Sequence, residues 1–254
     1  MGPDGKLSLY NMRKYGLYLF VLLGLSALLI FFVIRPLIRE KGEEDIYNVR
    51  AEAMVAEQIE ARGVKNEKVL QAMGKVPRHK FVPENLIPHA YEDSPLPIGF
   101  GQTISQPYIV ALMTELLDPE GGDKVLEVGT GSAYQAAVLS EIVNEVYTIE
   151  IFEELGTSAK ERMKDLGYDN VKVKIADGYY GWPEHAPFDN IIVTCAASHI
   201  PPPLIQQLKE GGKMCIPVGS VFWTQNLMLV EKKDGKIISR NILPVRFVPM
   251  LGEH

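Results

Sequence analysis

Val125-Leu126-Glu127-Val128-Gly129-Thr130-Gly131-Ser132-Ala133-Tyr134-Gln135 is the stretch on which the fold turns. An apolar strand carries Glu127, turns through Gly129 and Gly131, and opens into a helical pattern, Ala136-Ala137-Val138-Leu139. Glycines at a strand-to-helix turn permit unusual dihedrals and let a ligand approach the backbone closely. A dinucleotide-binding fingerprint has a similar pattern of glycines. Two departures separate this loop from it: an acidic residue two places before the first glycine, and Ala133 where a third glycine often sits. A tight turn in some other α/β protein is the alternative that the glycines alone leave open.

Outward from this loop the pattern alternates. Strands are expected at 124–128, 145–149, 171–176, 188–194 and 213–217, with helices at 134–142, 153–166 and 202–208. Two final strands, 226–232 and 236–243, flank the turn Lys233-Asp234-Gly235. Upstream, Ile46, Val49, Met54, Val55 and Ile59 recur at near-helical spacing before a stop at Gly63. Asn66 caps a second short helix. Residues 76–83 read as extended chain because of their prolines, a Pro- and Gly-rich loop leads to Ile98, and 108–117 reads as a helix. The expected fold is α/β: a Rossmann-like, doubly wound and mostly parallel sheet with a C-terminal antiparallel pair.

Ligands in such sheets bind at the carboxyl ends of the strands. Glu127 and the glycine turn follow the first strand of the core. Glu150 follows the second, about 20 residues later, where a carboxylate can accept hydrogen bonds from two ribose hydroxyls. Asp177-Gly178 follows the third, in reach of an adenine amino group. Any one of these acids could be a solvated or capping carboxylate; their order along three successive strands points to a nucleoside.

The N-terminus carries a second signal. Residues 15–34 hold no charge and are almost wholly apolar, flanked by Arg13-Lys14 and Arg35. About 20 helical residues span the roughly 30 Å hydrocarbon layer. A cleaved signal peptide would have a shorter apolar core and small residues before its cleavage site. The expected organisation is a tail at 1–14, a single membrane-spanning helix at 15–34, a juxtamembrane linker at 35–45 and one domain at 46–254. Flanking basic residues tilt the C-terminal domain slightly toward the cytoplasm. Gly16, Gly24, Ser26 and Ala27 would permit homo-oligomeric packing in the bilayer.

The formal charge is −6, with no basic run interleaved with aromatics, which excludes nucleic acid as an expected partner. Cys195 and Cys215 lie in apolar segments and read as buried small hydrophobes. The five histidines lack ligand spacing, so no metal is expected.

The E-x-G-x-G loop resembles that of S-adenosylmethionine-dependent methyltransferases, whose ligand has no pyrophosphate. From about residue 54 to 252 the chain resembles the protein-L-isoaspartate O-methyltransferase family. The likeness is carried by Val76-Pro77-Arg78-His79-Lys80-Phe81-Val82-Pro83, Gly101-Gln102-Thr103-Ile104-Ser105-Gln106-Pro107, the glycine loop, Asp177-Gly178-Tyr179-Tyr180-Gly181 and Val245-Arg246-Phe247-Val248-Pro249. The resemblance implies S-adenosylmethionine as cofactor and the misplaced carboxylate of isoaspartyl residues in damaged proteins as substrate. It implies cofactor contacts from Glu127, Gly129, Thr130, Gly131, Ser132, Tyr134, Gln135, Glu150, Asp177 and Gly178. Ser105 and Thr103 take the catalytic positions, and Gln102, Ile104, Arg246 and Val248 the substrate side.

Five positions depart from the family pattern. Ala133 replaces a glycine, Ser198-His199 replaces a proline and an acidic residue, and Gln106 and Tyr108 flank Pro107 in place of Ala and His. A methyltransferase for a dedicated peptide or carboxylate, or a non-catalytic tethered cofactor-binding protein, are the competing functions.

Overall fold

The computed structural model describes residues 35–220 and 222–253. The expected tail and membrane helix, 1–14 and 15–34, lie outside them. The chain divides into two compact units between Val49 and Arg50. Residues 35–45, expected as a linker, are helical and form the first part of α1 (Arg35–Ala53). That helix passes into a wider turn (Met54–Ile59) and a tight one (Glu60–Arg62), and stops at Gly63 with φ 100°. Met54 and Ile59 are buried, whereas Ile46 and Val49 are exposed, so the apolar spacing read across 46–59 divides into two parts.

The Asn66 side chain accepts hydrogen bonds from the Lys68 and Val69 amides and starts α2 (Glu67–Lys75). Residues 76–83 are not wholly extended: Arg78–Phe81 form a 3₁₀ turn that buries Arg78 and Phe81. The stretch read as a loop holds a small hairpin, β1 (Leu96–Gly99) and β2 (Gln102–Ile104), which pairs only with itself. It delivers the chain to α3 (Pro107–Leu117).

The core then alternates: β3 (Lys124–Val128), α4 (Tyr134–Ser140), β4 (Glu145–Glu150), α5 (Glu153–Asp165), β5 (Val171–Ile175), β6 (Phe188–Val193), α6 (Pro202–Gln207), β7 (Leu208–Val218), β8 (Gln225–Lys233) and β9 (Lys236–Val245). The sheet order is β5-β4-β3-β6-β7-β8-β9. The first five strands are parallel, and β8 and β9 add antiparallel at one edge. Asp234 and Gly235, with φ 51° and 70°, make the two-residue connection between them.

β3 is the middle one of the five parallel strands, with Glu127 aligned to Thr148 on one side and Ile192 on the other. Leu126, Val128, Ile149, Ile191 and Val193 pack one continuous core, so the carboxyl ends of these strands are held rigidly. Cys195 and Cys215 are buried free thiols, and burial pushes the Cys195 thiol up to about 12.

Candidate functional site

The loop after β3 is held from both flanking strands. The amides of Gly129 and Thr130 donate to Ile149 O at 2.9 and 3.1 Å. Thr194 Oγ1 lies 3.0 Å from Val128 O and 2.6 Å from Gly129 O. Gly129 has φ 100°, and a Cβ there would stand 2.5 Å from Thr194 Oγ1, so the position demands glycine twice over. Ala133 has φ 68° and ψ 17°, a left-handed conformation that costs an L-residue about 1–2 kcal/mol. A glycine at this position would carry no such strain. Arg162 on α5 donates to Ser132 O at 3.0 Å and ties the loop to the helix beyond β4.

Three acids sit where the strand ends predict, each in a different environment. Glu127 is wholly buried and neither carboxyl oxygen has a hydrogen-bond partner. Burial pushes its carboxyl up to about 8; Thr148 moderates the rise from nearby and the charge of Glu150 adds to it. The Thr148 hydroxyl is itself engaged by Thr130 Oγ1 at 2.6 Å. Glu150 is the opposite case. Its Oε2 accepts from Gly131 N at 2.7 Å, and its Oε1 from Ile151 N and Phe152 N at 2.9 and 3.0 Å. About three of its four acceptor positions are thus taken. One position is left, so holding two ribose hydroxyls requires one of the three amide bonds to exchange. Asp177 caps the turn Gly178–Tyr180 by accepting from Tyr179 N at 2.9 Å, and Gly252 of the C-terminal tail lies so close that a Cβ there would overlap its carboxyl group.

These residues border two adjoining cavities. The first encloses about 740 Å³, part of it open to solvent, between the β3–α4 loop, Glu150 to Phe152, the β2 hairpin strand and the tail at Pro249 to Leu251. It is lined by every residue given a cofactor, catalytic or substrate role from the sequence except Asp177 and Arg246. Gln102 and Ile104, assigned to the substrate side, line this cavity and not its neighbour. The second, about 900 Å³, runs between α3 and the chain after β9, and includes Arg246 together with Gln106 and Tyr108. Arg62 stacks 3.5 Å over the Tyr108 ring and pairs with Asp93 at 2.9 Å. Ser198 and His199 bond each other at 3.0 Å and line neither cavity.

Thr103, Ser105, Thr194 and Val248 line both cavities, and so form the wall where a group could pass from one to the other. Thr194 was missed in the sequence, although it directly follows β6 and the strand-end rule reaches it. The tail residues Met250 and Leu251 were missed because nothing local marks them. They are brought in by long-range pairing: Ala196 N donates to Val248 O and Met250 N to Ala196 O, both at 2.8 Å.

A model of the protein-L-isoaspartate(D-aspartate) O-methyltransferase family matches residues 49–254. A protein-L-isoaspartate O-methyltransferase of Polaromonas sp. is 64% identical over 189 residues, 74% of this chain and 90% of that one. Its counterpart in Cupriavidus necator is 59% identical over 210 residues, covering 82% and 81%. Among solved structures, a protein-L-isoaspartate O-methyltransferase superposes with a TM-score of 0.74 at 31% identity, over 81% of this chain and 66% of that one. A beta-aspartate methyltransferase from Plasmodium falciparum, in complex with S-adenosyl-L-homocysteine, gives 0.69 at 28% identity, over 79% and 98%.

Proposed function

The chain belongs to the protein-L-isoaspartate(D-aspartate) O-methyltransferase family, and from that premise we propose how its two cavities divide the reaction between them. It is an S-adenosylmethionine-dependent enzyme that methylates isoaspartyl carboxylates in proteins. The first cavity is read as the cofactor's and the second as the substrate's. The cofactor supplies, when bound, a methyl group on a sulfonium cation. The unpartnered, buried Glu127 carboxyl fits such a ligand, because a cation there compensates the ionised form that burial disfavours. Glu150, on its rigid strand end, holds the ribose side, and Gly178, packed so closely on Val128 that a Cβ would overlap it, lines the same cavity.

The observation that carries this reading is the shared wall of Thr103, Ser105, Thr194 and Val248. The substrate carboxylate is an anion at neutral pH, so no general base is needed. What the chain must do is hold one carboxylate oxygen, leave the other free, and exclude water. Ser105 and Thr103 are assigned to that task. The 245–249 segment is assigned to the substrate backbone. Phe247 N already donates to Gln225 Oε1 at 2.9 Å and Val248 O accepts from Ala196, so pairing falls to the other groups of the segment. Asp177 is assigned to the adenine edge only if the tail residue Gly252 moves off it.

The test is transfer of labelled methyl from S-adenosylmethionine to two peptides that differ only in aspartate against isoaspartate. Base-labile label on the isoaspartyl peptide alone is expected. Label on neither peptide, with the cofactor still binding, would transfer the assignment to a dedicated partner substrate or a non-catalytic role.

We further propose that residues 15–34 anchor this enzyme in a bilayer as a single pass, with the catalytic domain in the cytoplasm where the cofactor is made. Among the described residues no helix is long and apolar enough to cross a membrane, and the proposed segment lies outside them. The proposal rests on its uncharged, apolar sequence. Flotation with lipid of the full chain, but not of a chain lacking residues 1–40, is expected; equal behaviour of the two would sink it. Cross-linking of both forms in membranes tests homo-oligomer formation through the same segment.

A further inference from the structure

Arg78 has no role in the reaction as described, yet it is the largest fully buried side chain, at 0% exposure. A buried guanidinium ordinarily has a carboxylate beside it, because an isolated charge in a low-dielectric interior is costly. Here none bonds it. Nε donates to Ala90 O at 2.7 Å and Nη2 to Ser105 O at 2.7 Å, while Nη1 has no partner. Its Cζ lies 4.7 Å from the centre of the Tyr134 ring, which Phe81 meets edge-on at 5.4 Å. Burial lowers its pKa, with only Tyr134 and Tyr91 opposing, but a guanidinium starts so high that the group stays charged.

The two residues it touches at the site belong to different walls. Ser105 stands on the wall shared by both cavities, and Tyr134 lines the cofactor cavity. Among the described residues no carboxylate pairs with the positive charge, which lies behind the Ser105 carbonyl, next to the surface assigned above to a carboxylate. Ser105 reaches it through its own carbonyl, so the peptide unit following Ser105 is aligned and polarised by the same contact.

We propose that Arg78 is a positioning residue whose buried, unpaired charge makes the Ser105 wall a seat for a carboxylate. This rests on the division of the cavities proposed above. Two carboxylates can answer to it: that of the isoaspartyl side chain and that of the cofactor's amino-acid portion. The chemistry is the same for both, and binding measurements separate them. A favourable field at a reacting anion strengthens binding more than turnover, since the negative charge is lost as the methyl group arrives.

The experiment measures dissociation constants by calorimetry for wild type, R78M and R78K. Four ligands are used: the isoaspartyl peptide and its neutral isoasparaginyl twin with S-adenosylhomocysteine present, then S-adenosylhomocysteine and 5′-methylthioadenosine alone. R78M is expected to lose about tenfold of the preference for the carboxylate-bearing member of one pair, a magnitude typical of a charged contact. The pair affected names the carboxylate. R78K, which keeps the charge, is expected to retain that preference. Parallel weakening of all four ligands in R78M would reduce Arg78 to a scaffold for the loop, and unchanged preferences would remove it from the site; either overturns the proposal. If R78M does not fold, R78K decides alone: a lost preference with the charge still present contradicts it. Because none of these readouts needs methyl transfer, failure of the peptide assay above and failure of this proposal are distinguishable.

Discussion

The cofactor cavity and the substrate groove share a wall but are built on opposite plans. The first is framed by the ends of central parallel strands, with Glu127 aligned between β4 and β6 and Glu150 fixed by three backbone amides. The second is framed by α3, by Arg62 and Pro95, and by the end of the edge strand β9 with the chain after it; Thr103 is the residue of the β1–β2 hairpin that reaches it. One side is set by a rigid core and presents buried acids to a cation. The other is assembled from peripheral segments and, in the proposed division, presents hydroxyls and backbone groups to an anion, with Arg78 behind the Ser105 wall that both cavities share. The difference teaches that losses on the cofactor side should register as affinity for the nucleoside, and losses on the substrate side as turnover or peptide binding.

The largest effect that would break this division is at Glu150. Glu150→Ala removes a carboxylate that orders Gly131, Ile151 and Phe152, and is expected to weaken S-adenosylhomocysteine binding by about 100-fold or more, from charged hydrogen bonds of roughly 1.5–3 kcal/mol each. Calorimetry checks it, and a loss confined to peptide KM would blur the two sides. On the shared wall, Ser105→Ala is expected to lower kcat by about 10- to 100-fold with nucleoside affinity within about twofold, the cost of one hydrogen bond to a charged group. A matching fall in nucleoside affinity would move Ser105 wholly to the cofactor side.

Glu127 sharpens the comparison through pH. With its folded value raised to about 8 and the unfolded value near 4.5, the folded, cofactor-free protein holds the proton more tightly than the unfolded chain. Its contribution to stability is therefore greatest in acid and falls as pH rises from 4.5 through 8. Binding of a cationic ligand favours the ionised form, so cofactor binding near pH 7 is expected to release a proton, seen as a buffer-dependent heat. Glu127→Gln should abolish that release and stabilise the free protein above pH 7, by roughly 2–4 °C for each kcal/mol recovered. A wild-type heat independent of buffer would contradict it. The smallest effect is at Ala133: glycine there relieves a left-handed alanine and is expected to raise stability by about 1 kcal/mol, read as a higher Tm.

The same contrast explains what the sequence revealed. The strands and helices from 124 to 245 lie within a few residues of the elements expected, because buried parallel strands are short apolar runs whose ends are punctuated by Gly, Asp or Asn. The cofactor side was legible for that reason: its acids follow strands in order. What segments outside the alternating core bring to either cavity was not. The β1–β2 hairpin has three or four residues per strand and no apolar alternation to announce it. The 3₁₀ turn at Arg78 is fixed by bonds to Ala90 and Ser105, residues far along the chain. Met250 and Leu251 reach the cavity only through pairing with Ala196. Asp177, read as an open site residue, lies under Gly252 for the same non-local reason.

The account stands most directly on the wall between the cavities. The measurement that tests it is a structure of the full chain with S-adenosylhomocysteine and an isoaspartyl peptide bound together. The account predicts the nucleoside beside Glu150, the peptide along Arg246 and Val248, and the peptide carboxylate against Ser105, in line with the cofactor sulfur with space for one methyl group between them. A peptide seated elsewhere, or a nucleoside in the groove beside Tyr108, would contradict it.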